Sequence, residues 1–240
     1  MPNSFFQFKQ FTIHQDRCAM KVSTDSCLFG AWLSKMILPN LPNIHHALDI
    51  GAGTGLLMLM IAQDNFIKID GIEINEEACE QALSNINQSP WSHKLRLMNA
   101  DVKAVDFDHT YDFIFSNPPF YENDLLPLSN SKASAMHDAT LNFDCLLDFI
   151  AKNLHIDGCF ALLVPYHRFS YLREISRSKG FFVKHVVHVQ HQDGHDFIRS
   201  MVLLERNNTE MHTSAIKIKE KDGNYTCGFA ELLKDYYLFL

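Results

Sequence analysis

The sequence predicts an α/β fold: a mostly parallel seven-stranded sheet with helices on both faces and an antiparallel hairpin at one edge. Three observations carry this expectation. Beyond residue 45, short apolar runs of strand length alternate with stretches of helical pattern. A glycine-rich turn, Gly51-Ala-Gly-Thr-Gly55, stands where the first of these strands meets the first helix. Acidic residues, Asp49, Glu73 and Asp101, lie at or near the ends of the first three strands.

The first strand is His46 to Ile50, and the helix after the glycines runs from Leu56 to about Gln63. That helix is apolar on most faces, so it packs under the sheet. A second strand, Ile67 to Ile72, ends at Glu73. Asn75 then suits the N-cap of a helix reaching Asn87, with Glu76 and Glu77 favourably placed at its positive end. Lys94 to Met98 reads as the third strand, and Tyr111 to Phe115 as a fourth that runs into Asn117-Pro-Pro-Phe120. The stretch from Tyr121 to about Thr140 reads as a long loop, which in a compact domain suggests a binding segment. A helix from about Asn142 to Leu154 is expected to stop before Asp157-Gly158. A strand over Cys159 to Val164 and a helix from about Arg168 to Lys179 follow. Strands Phe182 to Gln190 and Phe197 to Glu205, joined by a polar segment with Gly194, should pair as the edge hairpin.

A chain of 240 residues with 47% hydrophobic content can bury one full core. It divides into an extension, residues 1–35, that contributes to the site, and a main domain, residues 36–240, in one globular unit expected to be a monomer. The opening residues lack the basic start and apolar run of a secretory signal, and the apolar stretch from Leu56 to Ala62 is far short of the roughly 20 residues needed to cross a bilayer. Six cysteines form no Cys-x-x-Cys pair, as expected of free thiols in a reduced compartment. These features predict a soluble, cytoplasmic protein without a membrane partner. His185 and His188 lie on opposite faces of one strand, which argues against a shared metal.

Net charge is −7, unevenly spread. Counting Lys and Arg against Asp and Glu, residues 1–35 carry +2, residues 36–150 carry −11 and residues 165–200 carry +3. An acidic body with basic edges suits local contact with a polyanion.

A strand, a glycine turn and a helix N-terminus together aim backbone N–H groups at a ligand. The spacing here is G-x-G-x-G, whereas pyrophosphate-binding dinucleotide folds show G-x-G-x-x-G. Glu73, about 20 residues beyond the glycines, is placed to accept hydrogen bonds from ribose hydroxyls. Asn117-Pro-Pro-Phe120 follows the fourth strand, where a doubly wound sheet opens its crevice. The Asn117 amide oxygen and the Pro118 carbonyl are two acceptors for one NH2 group, and Phe120 offers a face for stacking on a planar base. Such acceptors hold a nitrogen lone pair toward a methyl donor and relieve charge as the amine becomes cationic.

The glycine turn with Asp49 resembles motif I of the Rossmann-like class I methyltransferases. The tetrapeptide at 117–120 resembles motif IV of those that methylate exocyclic or side-chain amide nitrogens. The stretches Phe8 to Asp16, Met20 to Asp25 and Leu28 to Leu33, with Asp222 to Tyr225 and Phe229 to Leu240, resemble both ends of the tRNA1(Val) adenine-N6 methyltransferase family. The resemblance implies S-adenosylmethionine as cofactor and tRNA as partner, with N6 of adenine 37 beside the anticodon as acceptor. It puts Lys21, Thr24, Asp25, Asp49, Gly51, Gly53, Gly55 and Asn117 near the cofactor's methionine end. Asp101 would accept from the adenine amino group and Val102 would meet the ring. Asn117, Pro118 and Phe120 would carry catalysis, while Pro119, Tyr121, Arg173 and Arg177 would contact substrate. Asp25 is also a candidate N-cap for the following helix. Lys9, Arg17, Arg168 and Lys179 offer further phosphate contacts. Ser23 and Ser26 stand where the family leads one to expect glycines, and Lys132 to His137 where it leads one to expect arginines. The same motif also serves glutamine-N5 methylation of release factors and guanine-N2 methylation of RNA, which stay open as alternatives.

Overall fold

The computed structural model describes residues 3–41, 43–118 and 143–240. The described chain begins with a two-stranded antiparallel ribbon, β1 (Phe5–Gln7) and β2 (Thr12–His14), followed by α1 (Thr24–Trp32). The alternating core comprises β3 (His46–Ile50), α2 (Leu56–Asp64), β4 (Lys68–Glu73), α3 (Glu76–Asn87), β5 (Leu95–Asn99) and β6 (Tyr111–Ser116). After it come α4 (Phe143–Asn153), β7 (Leu154–Pro165), α5 (Phe169–Ser178), β8 (Phe182–Gln190), β9 (Phe197–Glu205), β10 (His212–Lys217) and α6 (Cys227–Leu233).

Local chemistry accounts for these elements. Every residue of α2 from Leu56 to Ala62 is buried, as its all-round apolar surface requires. In α3 the buried Ala78, Cys79, Ala82 and Ile86 share one face, and Asn75 Oδ1 caps the helix by accepting from Ala78 N at 2.9 Å.

The central sheet runs β10-β8-β9-β7-β6-β3-β4-β5, with β9 antiparallel to both neighbours. Among the described residues this makes eight strands rather than the seven expected from sequence. The extra strand is β10, which pairs parallel to β8, so the β8–β9 hairpin is covered and is not the sheet edge. β10 is mostly exposed and carries no clean alternation to announce it. β7 is longer than the expected Cys159 to Val164 because Asp157 and Gly158 continue the strand instead of stopping a helix. A Cβ on Gly158 would lie 2.9 Å from the Asp112 carbonyl, so the glycine serves close strand passage, not a turn. Ser23, not Asp25, is the N-cap of α1, and Asp25 sits in its first turn.

From β3 the chain moves one way to β4 and β5, and the other way to β6 and β7. The crevice of a doubly wound sheet lies at such a switch, outside the carboxyl ends of the strands. Ile50 stands beside Ser116 across the β3–β6 pair, and Ser116 Oγ donates to Ile50 O at 2.6 Å. The residues following each strand are therefore side by side.

One face of the sheet is covered by α1, α2, α3 and α6, and the other by α4 and α5. Residues of the opening segment, including Phe8, Ile13 and Leu28, share the first core with α2 and the sheet. Asn85 of α3 ties that segment to the glycine turn, accepting from His14 N and donating to His14 O and Thr54 O at 2.9–3.0 Å.

Candidate active site

At the end of β3 the chain turns through Gly51, Gly53 and Gly55, with φ of 73°, 56° and 78°. Residues with a Cβ rarely adopt this region, which explains the glycines. The turn is pinned from beneath: Gly51 N and Ala52 N donate to Ile72 O, and Gly53 N donates to Glu73 Oε2 at 2.8 Å. The other Glu73 oxygen accepts from Asn75 N at 2.8 Å. One buried carboxylate thus couples the end of β4 to the turn and to the cap of α3. Asp49 is also buried, and neither of its oxygens has a partner. Burial, and then the charge of Glu73, push its pKa well above the usual carboxylate range.

A cleft of about 330 Å³ opens between the turn and the residues after β6. Gly51 to Thr54 form one wall, and Asn117 and Pro118 form the facing one. Lys21, Ser23, Asp25 and Ser26, from the start of α1 and the segment before it, make a third side. His167 and Arg168, just beyond β7, and Arg199 on β9 complete the rim. Pro165 pairs with Arg199 in the sheet, which brings that arginine to the mouth. Asn117 Nδ2 donates to Ser26 Oγ at 2.9 Å, and Arg199 Nε donates to Asp25 Oδ2 at 2.8 Å. Arg168 stacks its guanidinium over Phe143 and Tyr171, 5.8 and 5.6 Å from the ring centres.

Residues 31–134 match a family model described as "Methyltransferase small domain". The chain is 39% identical over 241 residues to a tRNA1(Val) (adenine(37)-N6)-methyltransferase of Dyadobacter fermentans, covering 98% of both chains. A relative of the same name from Yersinia pestis is 34% identical, covering 97% of this chain and 93% of its own. The chain belongs to the tRNA1(Val) (adenine(37)-N6)-methyltransferase family. It is a methyltransferase. Its fold is shared with a predicted O-methyltransferase from Agrobacterium tumefaciens, at a TM-score of 0.66 and 15% identity, covering 88% of this chain and 96% of that one.

Of the methyltransferase residues singled out from sequence, the cleft gathers Lys21, Asp25, Gly51, Gly53, Asn117 and Pro118. Asp49 and Glu73 lie beneath the turn, Gly55 ends it and Thr24 opens α1, and neither Gly55 nor Thr24 lines the cleft. Asp101 lies two residues beyond β5, where its Oδ1 accepts from Lys103 N at 2.9 Å, and neither it nor Val102 lines this cleft. Arg173 and Arg177 are exposed on α5, outside the cleft. Pro119, Phe120, Tyr121 and Lys132 to His137 lie outside the described residues.

The suggested phosphate contacts are already engaged, Arg168 with the rings of Phe143 and Tyr171. Lys179 pairs with Asp148 and, at 3.4 Å, Asp144; Lys9 donates to the Lys234 carbonyl; and Arg17 is 3.5 Å from Glu80. Among the described residues, no three His, Cys, Asp or Glu side chains converge as metal ligands, and no helix is long and apolar enough to cross a membrane. Sequence reasoning missed Arg199 and the places of His167 and Arg168 on the rim. The strand-end rule that flagged Asn117 applies equally to the residues after β7 and would have found the latter two.

Proposed function

We propose that this enzyme transfers the methyl group of S-adenosylmethionine to N6 of adenine 37 in tRNA1(Val). The observation that carries the reading is the side-by-side placement of the glycine turn and Asn117-Pro118 in one cleft. The turn fits the cofactor by its shape. Its glycine N–H groups are spent on Ile72 O, Glu73 Oε2 and Ala52 O, but nothing lies within 4 Å of where a Cβ on Gly51 would stand, and that bare surface suits close approach of the cofactor's backbone-like end. The orphaned Asp49 carboxyl beneath suits a ligand with cationic groups. Glu73 would accept from the ribose hydroxyls with its remaining lone pairs while still holding Gly53.

When bound, S-adenosylmethionine supplies an electrophilic methyl carbon on a positively charged sulfur. Asn117 Oδ1 and Pro118 O would receive the two hydrogens of the acceptor amine, aiming its lone pair at that carbon. Held this way, the nitrogen would face the methyl carbon in line with the carbon–sulfur bond that transfer has to break. The two acceptors stabilise the positive charge that builds on nitrogen until one proton leaves to water. Phe120 would stack on the base, as splayed tRNA bases are read by stacking and backbone contacts. Arg168 on the rim, two residues after the exposed Tyr166, with Arg173 and Arg177 on α5, gives an aromatic and basic approach for RNA on an otherwise acidic protein.

The test is to incubate the protein with methyl-labelled cofactor and unmodified tRNA1(Val) transcript, a transcript with guanine at 37, and release factor, then digest the products. Label in N6-methyladenosine from the first transcript alone is expected. Label on guanine or on release-factor glutamine, with none on adenine, overturns the reading.

A further inference from the structure

The two ends of an amide side chain fill the same volume, so only their partners decide which one faces a substrate. At Asn117 the partners form a chain. Asn117 Nδ2 meets Ser26 Oγ at 2.9 Å. Ser26 Oγ meets Ser23 Oγ at 2.8 Å, a contact that either hydroxyl can donate. Ser23 Oγ in turn donates to Asp25 Oδ1, and the other oxygen of Asp25 accepts from Arg199 Nε at 2.8 Å.

Counting protons fixes every direction. A carboxylate only accepts, a guanidinium only donates, and a hydroxyl owns one proton. The Ser23 proton goes to Asp25, so Ser26 must donate to Ser23. The Ser26 proton is then spent, and Ser26 meets Asn117 as an acceptor. Asn117 therefore gives its NH2 to α1 and keeps its carbonyl oxygen for the cleft. Reversed, the amide would point hydrogens at an amine that also carries hydrogens, and two donors would face each other.

We infer that Ser26, backed by Ser23 and Asp25, is a positioning residue that holds the Asn117 amide with its oxygen toward the acceptor amine. The inference rests on the reading that Asn117 receives that amine. Ser23 and Ser26 thus carry hydroxyl chemistry at positions where glycines were expected from the family resemblance.

The experiment is single-turnover methyl transfer to the tRNA1(Val) transcript at saturating cofactor, with cofactor Kd measured by calorimetry as a control for folding. Ser26→Ala should slow transfer about tenfold, the scale of one oriented hydrogen bond. Its cofactor Kd should stay within about twofold. Ser26→Thr keeps the hydroxyl and should restore most of the rate. Ser23→Ala changes an exposed side chain and should cost a few-fold, because the Ser26 proton is then free to turn toward Asn117; it decides the matter if Ser26→Ala does not fold. An independent readout is NMR of the protein with labelled asparagine: the Asn117 NH2 protons should be hydrogen-bonded in the parent and Ser26→Thr, and released in Ser26→Ala. Transfer by Ser26→Ala at the parental rate overturns the inference, as does a Ser26→Thr as slow as Ser26→Ala. If the parent methylates no adenine, the proposed function fails instead, and the NMR comparison still decides the orientation of Asn117.

Discussion

On the glycine-turn side of the cleft, Gly53 is held by Glu73, 20 residues away, while on the other side Asn117 is held by Ser26, 91 residues away, and Asp25 by Arg199, 174 away. The first side is the work of two consecutive βαβ units, and its bonds are donated by backbone N–H groups, to the Ile72 and Ala52 carbonyls and to the Glu73 carboxylate. The second is assembled by side chains from α1, β9 and the end of β6, which meet only once the sheet and α1 have packed. The near side should therefore govern binding and stability, and the far side the rate of chemistry.

The sharpest way to break this division is Asn117→Ala. It should cut the single-turnover rate by roughly 10²-fold or more, by analogy with loss of an oxyanion-hole donor, and leave cofactor affinity little changed. An unchanged rate would move the chemistry elsewhere. Glu73→Ala tests the opposite side. It removes a carboxylate that already holds Gly53 N and Asn75 N, so it should weaken cofactor binding by about 1.5–3 kcal/mol and also lower Tm without ligand. A loss of affinity with no loss of Tm would separate the ribose role from the bond to the turn.

Asp49→Asn sharpens the comparison through pH. Burial raises the folded-state pKa of Asp49, so its contribution to stability is complete below the unfolded value near 3.9 and is lost as pH rises through the raised one. In ligand-free protein, Asp49→Asn should match the parent near pH 4 and gain on it as pH rises, by up to about 1–3 kcal/mol. A Tm difference that stays flat with pH would refute this. The smallest expected effect is at the periphery: reversing Arg173 and Arg177 to Glu should raise the tRNA KM, spare cofactor binding, and flatten the salt dependence by about one unit of log–log slope per lost phosphate contact. An unaltered slope would remove α5 from the RNA path.

The same contrast explains what the sequence disclosed. The glycine turn, the strand-end Asp49 and Glu73 and the Asn75 cap lie within about 30 consecutive residues, so their placement is legible in spacing alone. Asn117 and Pro118 were legible because a strand runs straight into them. Ser23, Ser26 and Arg199 owe their place to pairings far along the chain, and no local pattern carries that information. β1 and β2, three residues each, are too short for alternation to register, and β10 shows none. The Asp157-Gly158 pair misled because a glycine that allows strands to pass closely has the same letter as one that ends a helix.

The opening of the chain is fastened by a stretch made long afterwards. Lys9 N donates to Tyr236 O at 2.8 Å, and Phe8 forms a bridge with Tyr237. Lys35 pairs with Asp235, and Tyr237 shares its buried core with Cys27, the neighbour of Ser26. During synthesis at roughly 5–20 residues per second, about 10–45 s separate Lys9 from Tyr236. The glycine turn can fold on the ribosome in that interval, but α1 lacks its final fastening until the residues around Tyr236 emerge. A nascent chain should thus close the glycine turn before α1 is fixed firmly enough for Ser26 to orient Asn117.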